Sequence, residues 1–244
     1  MGSYQIVRSK MIKTNVLLAD EKLARYVPKT ELYSIENLKK MLKEFQRVYV
    51  KPDCGRGGNR VLCITTQSSR SYKIYYEGAE KVFEKMADVV HFIDEVADGD
   101  PFIIQKGIHL LCSGKSPFDL RVNVQKPYSS WEVTAMIAKV AEPGRMVTNY
   151  AQGSTLVDFE QALVQANLNS HQIGEITALL TKLGERTAVV LNEKFSGLRE
   201  LGLDIALDQK AAPWILEVNT KPVFPKGMDK KFDRYRRIIR KKYR

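Results

Sequence analysis

Asp204, Glu217 and Asn219 are the residues of this 244-residue chain whose types and spacing point most directly to chemistry. Asp204 lies in Gly202-Leu203-Asp204-Ile205, among apolar neighbours at strand-like alternation. Glu217 and Asn219 lie in Trp214-Ile215-Leu216-Glu217-Val218-Asn219-Thr220-Lys221-Pro222. Two apart on a strand, they share one face, with Leu216 and Val218 expected on the other. The turn-prone Asp208 to Pro213 linker predicts a hairpin that brings the three oxygen-bearing side chains together. Mg²⁺ takes one or two carboxylates and fills its other positions with water and phosphate oxygens. The same residues also suit an ordinary exposed hairpin face.

A partner lies far upstream. Arg47 to Pro52 reads as a β-branched strand carrying Lys51 near its end, and Asp53-Cys54-Gly55-Arg56-Gly57-Gly58-Asn59-Arg60 leads into a second strand from Val61. Glycines let backbone approach a ligand closely, and consecutive amides form an anion-binding concavity. A lysine at the strand end adds a point charge for phosphate. No helix follows the loop and no Gly-Lys-Ser/Thr closes it, so it is not a Walker loop. Gly114-Lys115-Ser116 is a decoy, because a Walker loop needs glycine where His109 stands. A tight hairpin with a solvated lysine is the bland alternative.

These groups need elements to hold them. The length allows one large or two small domains with a proper core. Apolar content of 44% and charged content of 27% are those of an ordinary globular protein. No apolar run reaches membrane-spanning length, and the N-terminus lacks a signal pattern. Ile6 stands where a myristoylation motif needs Ser or Thr. Cys54, Cys63 and Cys112 have no metal-ligand spacing, which suits reduced thiols and a cytoplasmic setting.

The net charge of +11 is concentrated in the tail, where 226–244 holds ten Lys/Arg against two Asp. Met228, Phe232, Tyr235 and Ile239 recur there at helical spacing, predicting a docked amphipathic helix. Its cations offer a surface to an acidic partner or polymer, without any nucleic-acid motif.

Upstream, 1–28 reads as an extension with a short helix. Ile35 to Phe45 is a helix with Ile35, Leu38, Leu42 and Phe45 on one face. Tyr72 to Tyr76 is a strand, Glu80 to Val96 a helix, and Phe102 to Lys106 a buried strand. Phe118 to Gln125 and Trp131 to Val140 form an antiparallel pair. Thr148 to Ser154 is a polar loop, followed by helices from about Asp158 to Ala166 and from His171 to about Lys194. This order gives an α+β chain in two lobes.

With Lys51-Pro52 and its glycine loop, the Gln105-Lys106 strand end, and Asp204, Glu217 and Asn219 in that order, the chain resembles the ATP-grasp superfamily. The 13- and 15-residue offsets from Asp204 match a common metal-ligand spacing there. Asp119-Leu120-Arg121, with Thr148-Asn149 and Gln152-Gly153-Ser154, is similar to the branch that adds amino acids to protein tails. Phe118 to Lys126 and Trp131 to Thr134 look closest to the YheC/YheD-like endospore coat-associated group. The resemblance implies an ATP-grasp fold with a first lobe at 29–106, a second at 107–225 and a basic helix at 226–244. It also implies an N-terminal domain largely absent, since about 28 residues precede the match.

By that resemblance Lys51 and Lys106 hold phosphate oxygens, the loop of Gly55, Gly57 and Gly58 folds over them, and Gln105 to Ile108 form the adenine hinge. Asp204, Glu217 and Asn219 hold Mg²⁺, while Arg121, Lys139 and Asn149 face the transferring group. The activity implied is ATP- and Mg²⁺-dependent ligation of a carboxylate to an amine or thiol through an acyl phosphate, with spore coat components as possible substrates. A nucleotide-binding scaffold without ligase activity, or a kinase, uses the same machinery, and self-association stays open. Two departures stand out. His109-Leu110-Leu111-Cys112 offers no acid for ribose, and Lys139 replaces the usual arginine with a point charge. Lys221, two past Asn219, suits contact with an anionic acceptor, although an exposed lysine before proline is more often idle. Asp204→Asn and Glu217→Gln are both expected to weaken Mg·ATP binding with the fold near intact.

Overall fold

A computed structural model describes residues 4–55, 57–68, 71–142 and 154–243. The chain runs α1 (Lys10–Leu18), α2 (Glu21–Ala24), β1 (Thr30–Leu32), α3 (Ile35–Glu44), β2 (Arg47–Pro52), β3 (Leu62–Ser68), β4 (Ser71–Tyr76), β5 (Ala79–Phe83), α4 (Met86–Ala97) and β6 (Phe102–Lys106). It continues through β7 (Cys112–Ser113), β8 (Ser116–Gln125), β9 (Glu132–Val140), β10 (Thr155–Asp158), α5 (Phe159–Gln165), α6 (Ser170–Lys194), β11 (Glu200–Leu207), β12 (Pro213–Asn219) and α7 (Lys230–Lys242).

Two sheets organise these elements. The first has the order β1-β6-β2-β3-β4-β5. Val48, Val50, Ile64, Ile74 and Ile104 from its strands pack with Leu38, Met41 and Leu42 of α3 and Val89 and Ile93 of α4. The second has the order β10-β9-β8-β11-β12, with β7 beside β8. Strand alternation gives that sheet two different faces. Leu120, Val122, Val124, Leu201, Leu203 and Ile205 join α1, α2, α5 and α6 in a core. Asp119, Arg121, Lys139 and Asp204 occupy the opposite face, and farther along it Ala135 and Ile137 pack with Phe224 and Phe232.

Several expectations are corrected. Glu80 to Phe83 belongs to strand β5, not to the helix expected from Glu80, and α4 starts at Met86. Glu77 and Gly78 both adopt positive φ, 50° and 84°, making a hairpin turn whose twist suits the flanking strands. Ile35 is 48% exposed and Met228, outside α7, is 47% exposed, so neither joins an apolar stripe. The 4–27 segment is not peripheral to the packing: Val7, Val16, Leu17, Leu23 and Val27 lie in the core of the second sheet.

Candidate functional site

Register across the second sheet builds the charged face strand by strand. Lys139 of β9 lies opposite Asp119 of β8, Arg121 of β8 opposite Asp204 of β11, and Asp204 opposite Glu217 of β12. The Arg121 guanidinium donates from Nε to Asp204 Oδ1 at 2.8 Å and from Nη2 to Oδ2 at 3.0 Å, a bidentate fork. Lys139 Nζ sits 2.8 Å from Asp204 Oδ1 and 3.0 Å from Asp119 Oδ2. Arg121 therefore spends its fork on Asp204, and Asp119 belongs to Lys139. Burial alone would raise the Asp204 carboxyl, but Arg121 and Lys139 hold it well below the usual range. Burial would likewise lower both cations, and the acids around them hold each above its ordinary value. Asp119 goes the other way, raised by burial with Lys139 opposing.

The β11–β12 hairpin carries an irregularity that matters. Asp204 pairs with Glu217 and Ile205 with Ile215, which leaves Leu216 as an extra residue without a cross-strand partner. The sequence put Leu216 on the buried face with Val218. Instead it lines the cleft, and its carbonyl accepts from Lys51 Nζ at 3.5 Å and Gln105 Nε2 at 3.3 Å. The bulge thus brings the first sheet's strand ends onto the second sheet's acid-bearing strand.

Lys51 is buried, donating to Gln105 Oε1 at 2.8 Å. Burial pulls its pKa down to about 8, with Glu217 and Asp204 opposing that shift and Lys10 reinforcing it. Gln105 is fixed by a second bond, from Nε2 to Thr30 Oγ1 at 3.0 Å. Lys106 points elsewhere, its ammonium 5.1 Å from the Phe45 ring centre and 5.0 Å from that of Trp214. At the hinge the Lys106 amide donates to Lys29 and the Gly107 amide to Arg47, leaving the Ile108 amide without a backbone acceptor among the described residues. Gly57 and Gly58 sit at φ of 72° and 70°, a left-handed pair that only glycine adopts without strain.

One cavity of about 620 Å³ joins these groups. Lys51, Gly55, Gly57, Gly58, Gln105, Lys106 and Ile108 line it from the first sheet and hinge, and Arg121, Lys139, Asp204, Glu217 and Asn219 from the second sheet. Asn149 and the Thr148 to Gly153 stretch lie outside the described residues, as does Arg56.

Sequence reasoning missed Lys10. From α1 its ammonium donates to the Pro52 carbonyl at 2.9 Å and lies 3.8 Å from Glu217 Oε1, lining the same cavity. Asp53 anchors that helix to the glycine loop, its carbonyl accepting from the Lys10 amide and its Oδ1 from the Met11 amide. The available signal was spacing, since Lys10 and Lys13 are three apart and share one helix face. Lys13 turns inward to the Val7 and Arg8 carbonyls.

The donor set suits a hard cation that is shared with a ligand. Among the described residues no group of three or more His, Cys, Asp or Glu side chains forms a metal site by itself. Asn219 donates Nδ2 to Asp204 Oδ2 at 3.0 Å, so its amide nitrogen is engaged in that bond. Glu217 and the Asn219 amide oxygen, facing lysines across the cavity, are the oxygen types that suit Mg²⁺ completed by phosphate oxygens. Both Asp204 oxygens already accept from Arg121, Lys139 and Asn219, so Asp204 would join an ion only as those bonds rearrange. No helix among the described residues is long and apolar enough to cross a membrane.

Comparison with known proteins gives the family and the fold. A family model described as YheC/D like ATP-grasp matches residues 4–243. The endospore coat-associated protein YheD of Bacillus subtilis (strain 168) is 25% identical over 215 residues, spanning 85% of this chain and 46% of that protein. YheC of the same organism is 21% identical over 202 residues, spanning 81% and 55%. The chain thus spans about half the length of the curated relatives it matches. D-cycloserine synthetase DcsG superposes with a TM-score of 0.60 at 11% identity, over 97% of this chain and 71% of that one. D-alanine–D-alanine ligase from Bacillus anthracis gives 0.54 at 13% identity, over 95% and 64%. These likenesses share the fold. With the family model matching nearly its whole length, the chain belongs to the YheC/D-like ATP-grasp family.

Proposed function

We propose that this protein is an ATP- and Mg²⁺-dependent ligase that joins a carboxylate to an amine or thiol through an acyl phosphate. The observation that carries the reading is convergence: Lys51 of one sheet and Asp204, Glu217 and Asn219 of the other line one cavity. Family membership supports ATP as the nucleotide and a ligase-type reaction. Likeness to two endospore coat-associated proteins supports a role at the spore coat.

In this reading 29–106 forms one lobe and 107–225 the other, with α1 reaching over from the N-terminal segment and α7 closing the chain. Adenine pairs with the hinge at Gln105, Lys106 and Ile108, where the Ile108 amide supplies a donor. Lys51 and Lys10 neutralise phosphate oxygens, and Gly55, Gly57 and Gly58 let the loop backbone close over them. Asp204, Glu217 and Asn219 hold Mg²⁺, which when bound supplies charge neutralisation at the phosphates. A substrate carboxylate oxygen attacks the γ-phosphorus as the bond to ADP breaks. An amine or thiol then attacks the acyl carbon, phosphate leaves, and the nucleophile's proton passes to solvent. Arg121 and Lys139, with Asn149 beyond the described residues, orient the transferring group.

Two measurements test the proposal. Calorimetric titration with Mg·ATP should give saturable binding that Lys51→Ala weakens at least about tenfold. Multiple-turnover ADP release should be stimulated by a carboxylate and an amine together. Multiple-turnover formation of a phosphorylated product without amine would replace the ligase by a kinase, and absence of nucleotide binding at millimolar Mg·ATP would leave a scaffold.

A further inference from the structure

A second cavity of about 500 Å³ lies against the first, under α7. Lys221, Pro222 and Val223 line both cavities, so this short segment is the wall between them. Arginines hold the wall from either side: Arg236 donates to the Pro222 carbonyl, and Arg121 Nη1 to that of Val223 at 3.5 Å. Gly202 fixes its position, because a Cβ there would lie 2.7 Å from Pro222 Cβ and 3.1 Å from Arg121 Nη1.

The lining of the second cavity alternates in character. Arg236, Ile239 and Arg240 present one flank of α7, with Tyr243 just past its end, and Val223, also in the lining, is 84% exposed. Glu200 at the base is spoken for, accepting from Arg236 Nε at 3.2 Å and from the Tyr4 hydroxyl at 3.0 Å. Lys221 and Arg240 stand exposed at the rim, and neither has an ion-pair partner among the described residues. Three cations against one acid, interleaved with apolar surface, suit a chain of spaced carboxylates. A phosphodiester backbone entering this cavity would meet the Glu200 carboxylate.

We propose that this cavity binds an acidic peptide, the carboxylate-bearing substrate of the ligase described above, and that it directs one carboxylate past the Lys221 to Val223 wall toward Arg121. The inference rests on the ligase reading for its destination. The binding surface is separate from the nucleotide site and testable apart from it.

The test uses the full chain and a fluorescein-labelled short peptide alternating glutamate and alanine, with glutamine replacing glutamate in the control. Fluorescence anisotropy should show the glutamate peptide bound and the glutamine peptide not. Arg240→Gln and Lys221→Gln should each weaken binding about tenfold. Arg237→Gln, on the outer face of α7, should change it less than about twofold. Mg·ATP titration of Arg240→Gln should match the wild type. Equal binding of both peptides, an Arg237→Gln loss as large as that of Arg240→Gln, or displacement by duplex DNA in preference to acidic peptide would overturn the proposal. Normal Mg·ATP binding without peptide binding would overturn this inference alone. Peptide binding through Arg240 without nucleotide binding would remove the ligase reading and the delivery to Arg121 with it.

Discussion

Asp204 and Glu217 face one another across two strands, yet their substitution should have different consequences. The sequence suggested that either could be neutralised with the fold near intact. Asp204 is the shared acceptor of Arg121, Lys139 and Asn219, with its side chain 13% exposed. Asp204→Asn leaves the buried Arg121 fork without its carboxylate and Lys139 with Asp119 alone, so it should cost about 3–5 kcal/mol, read as a lower urea midpoint. Glu217 is 21% exposed and has one loose ion pair, to Lys10 at 3.8 Å. Glu217→Gln should stay within about 1 kcal/mol of the parent and lose Mg·ATP affinity. Unchanged nucleotide binding in a folded Glu217→Gln would remove that residue from the metal site. Lys51 adds a pH test. It is charged below about 8 in the free protein, where burial is the main cause of the lowering, with Glu217, Lys10 and Asp204 around it. Affinity for a polyanion should therefore hold below that pH and fall above it, toward about tenfold per pH unit. Lys51→Arg should flatten the profile, since a guanidinium keeps its proton. Residue types at fixed offsets made Asp204, Glu217, Asn219 and Lys51 legible. Spacing puts Lys10 on one helix face with Lys13 but does not tell which of the two enters the site, because the role of Lys10 is set by Asp53 and Pro52 some forty residues away.

At the scale of elements, alternation decided what could be read. β8, β9 and β11 bury one face against helices, and their apolar periodicity is plain. β5 is an edge strand whose residues are exposed or half-buried, so it has no buried face to reveal it. The helical period of the following residues was read straight through it. The Leu216 bulge was equally hidden, since an extra residue in a ladder leaves no mark on composition. α7 was legible through Phe232, Tyr235 and Ile239, all buried. Its importance to the site was not. Phe232 is fully buried, with its ring centre 4.7 Å from that of Phe224, which lines the main cavity. Phe232→Ala should cost about 3–5 kcal/mol in denaturant unfolding. It should also weaken Mg·ATP binding by loosening that wall. Stability lost with affinity intact would show α7 to be a support of the sheet only.

Across the whole molecule, the bonds between the two lobes among the described residues are few and lie near the cavity. Lys51 and Gln105 reach the Leu216 carbonyl, and α1, packed in the second lobe's core, holds the glycine loop's base through Lys10 and Asp53. Sparse, polar contacts between two well-cored bodies leave their relative motion to be set by what fills the cleft. A ligand touching both lobes adds its binding free energy to their association, about 2.7 kcal/mol at a hundredfold excess over Kd. Saturating Mg·ATP should therefore slow amide hydrogen exchange together at 57–60 and 105–108 in one lobe and at 216–219 in the other. Protection should also spread into α1, whose first-turn amides are bonded to Asp53. Glu217→Gln separates the contributions: it should abolish protection at 216–219 while the hinge at 105–108 keeps part of its own, because adenine contacts do not pass through the carboxylate. Protection confined to one lobe in the wild type would mean that the cavity walls do not enclose a common ligand, and the convergence on which the ligase proposal stands would fail at its root.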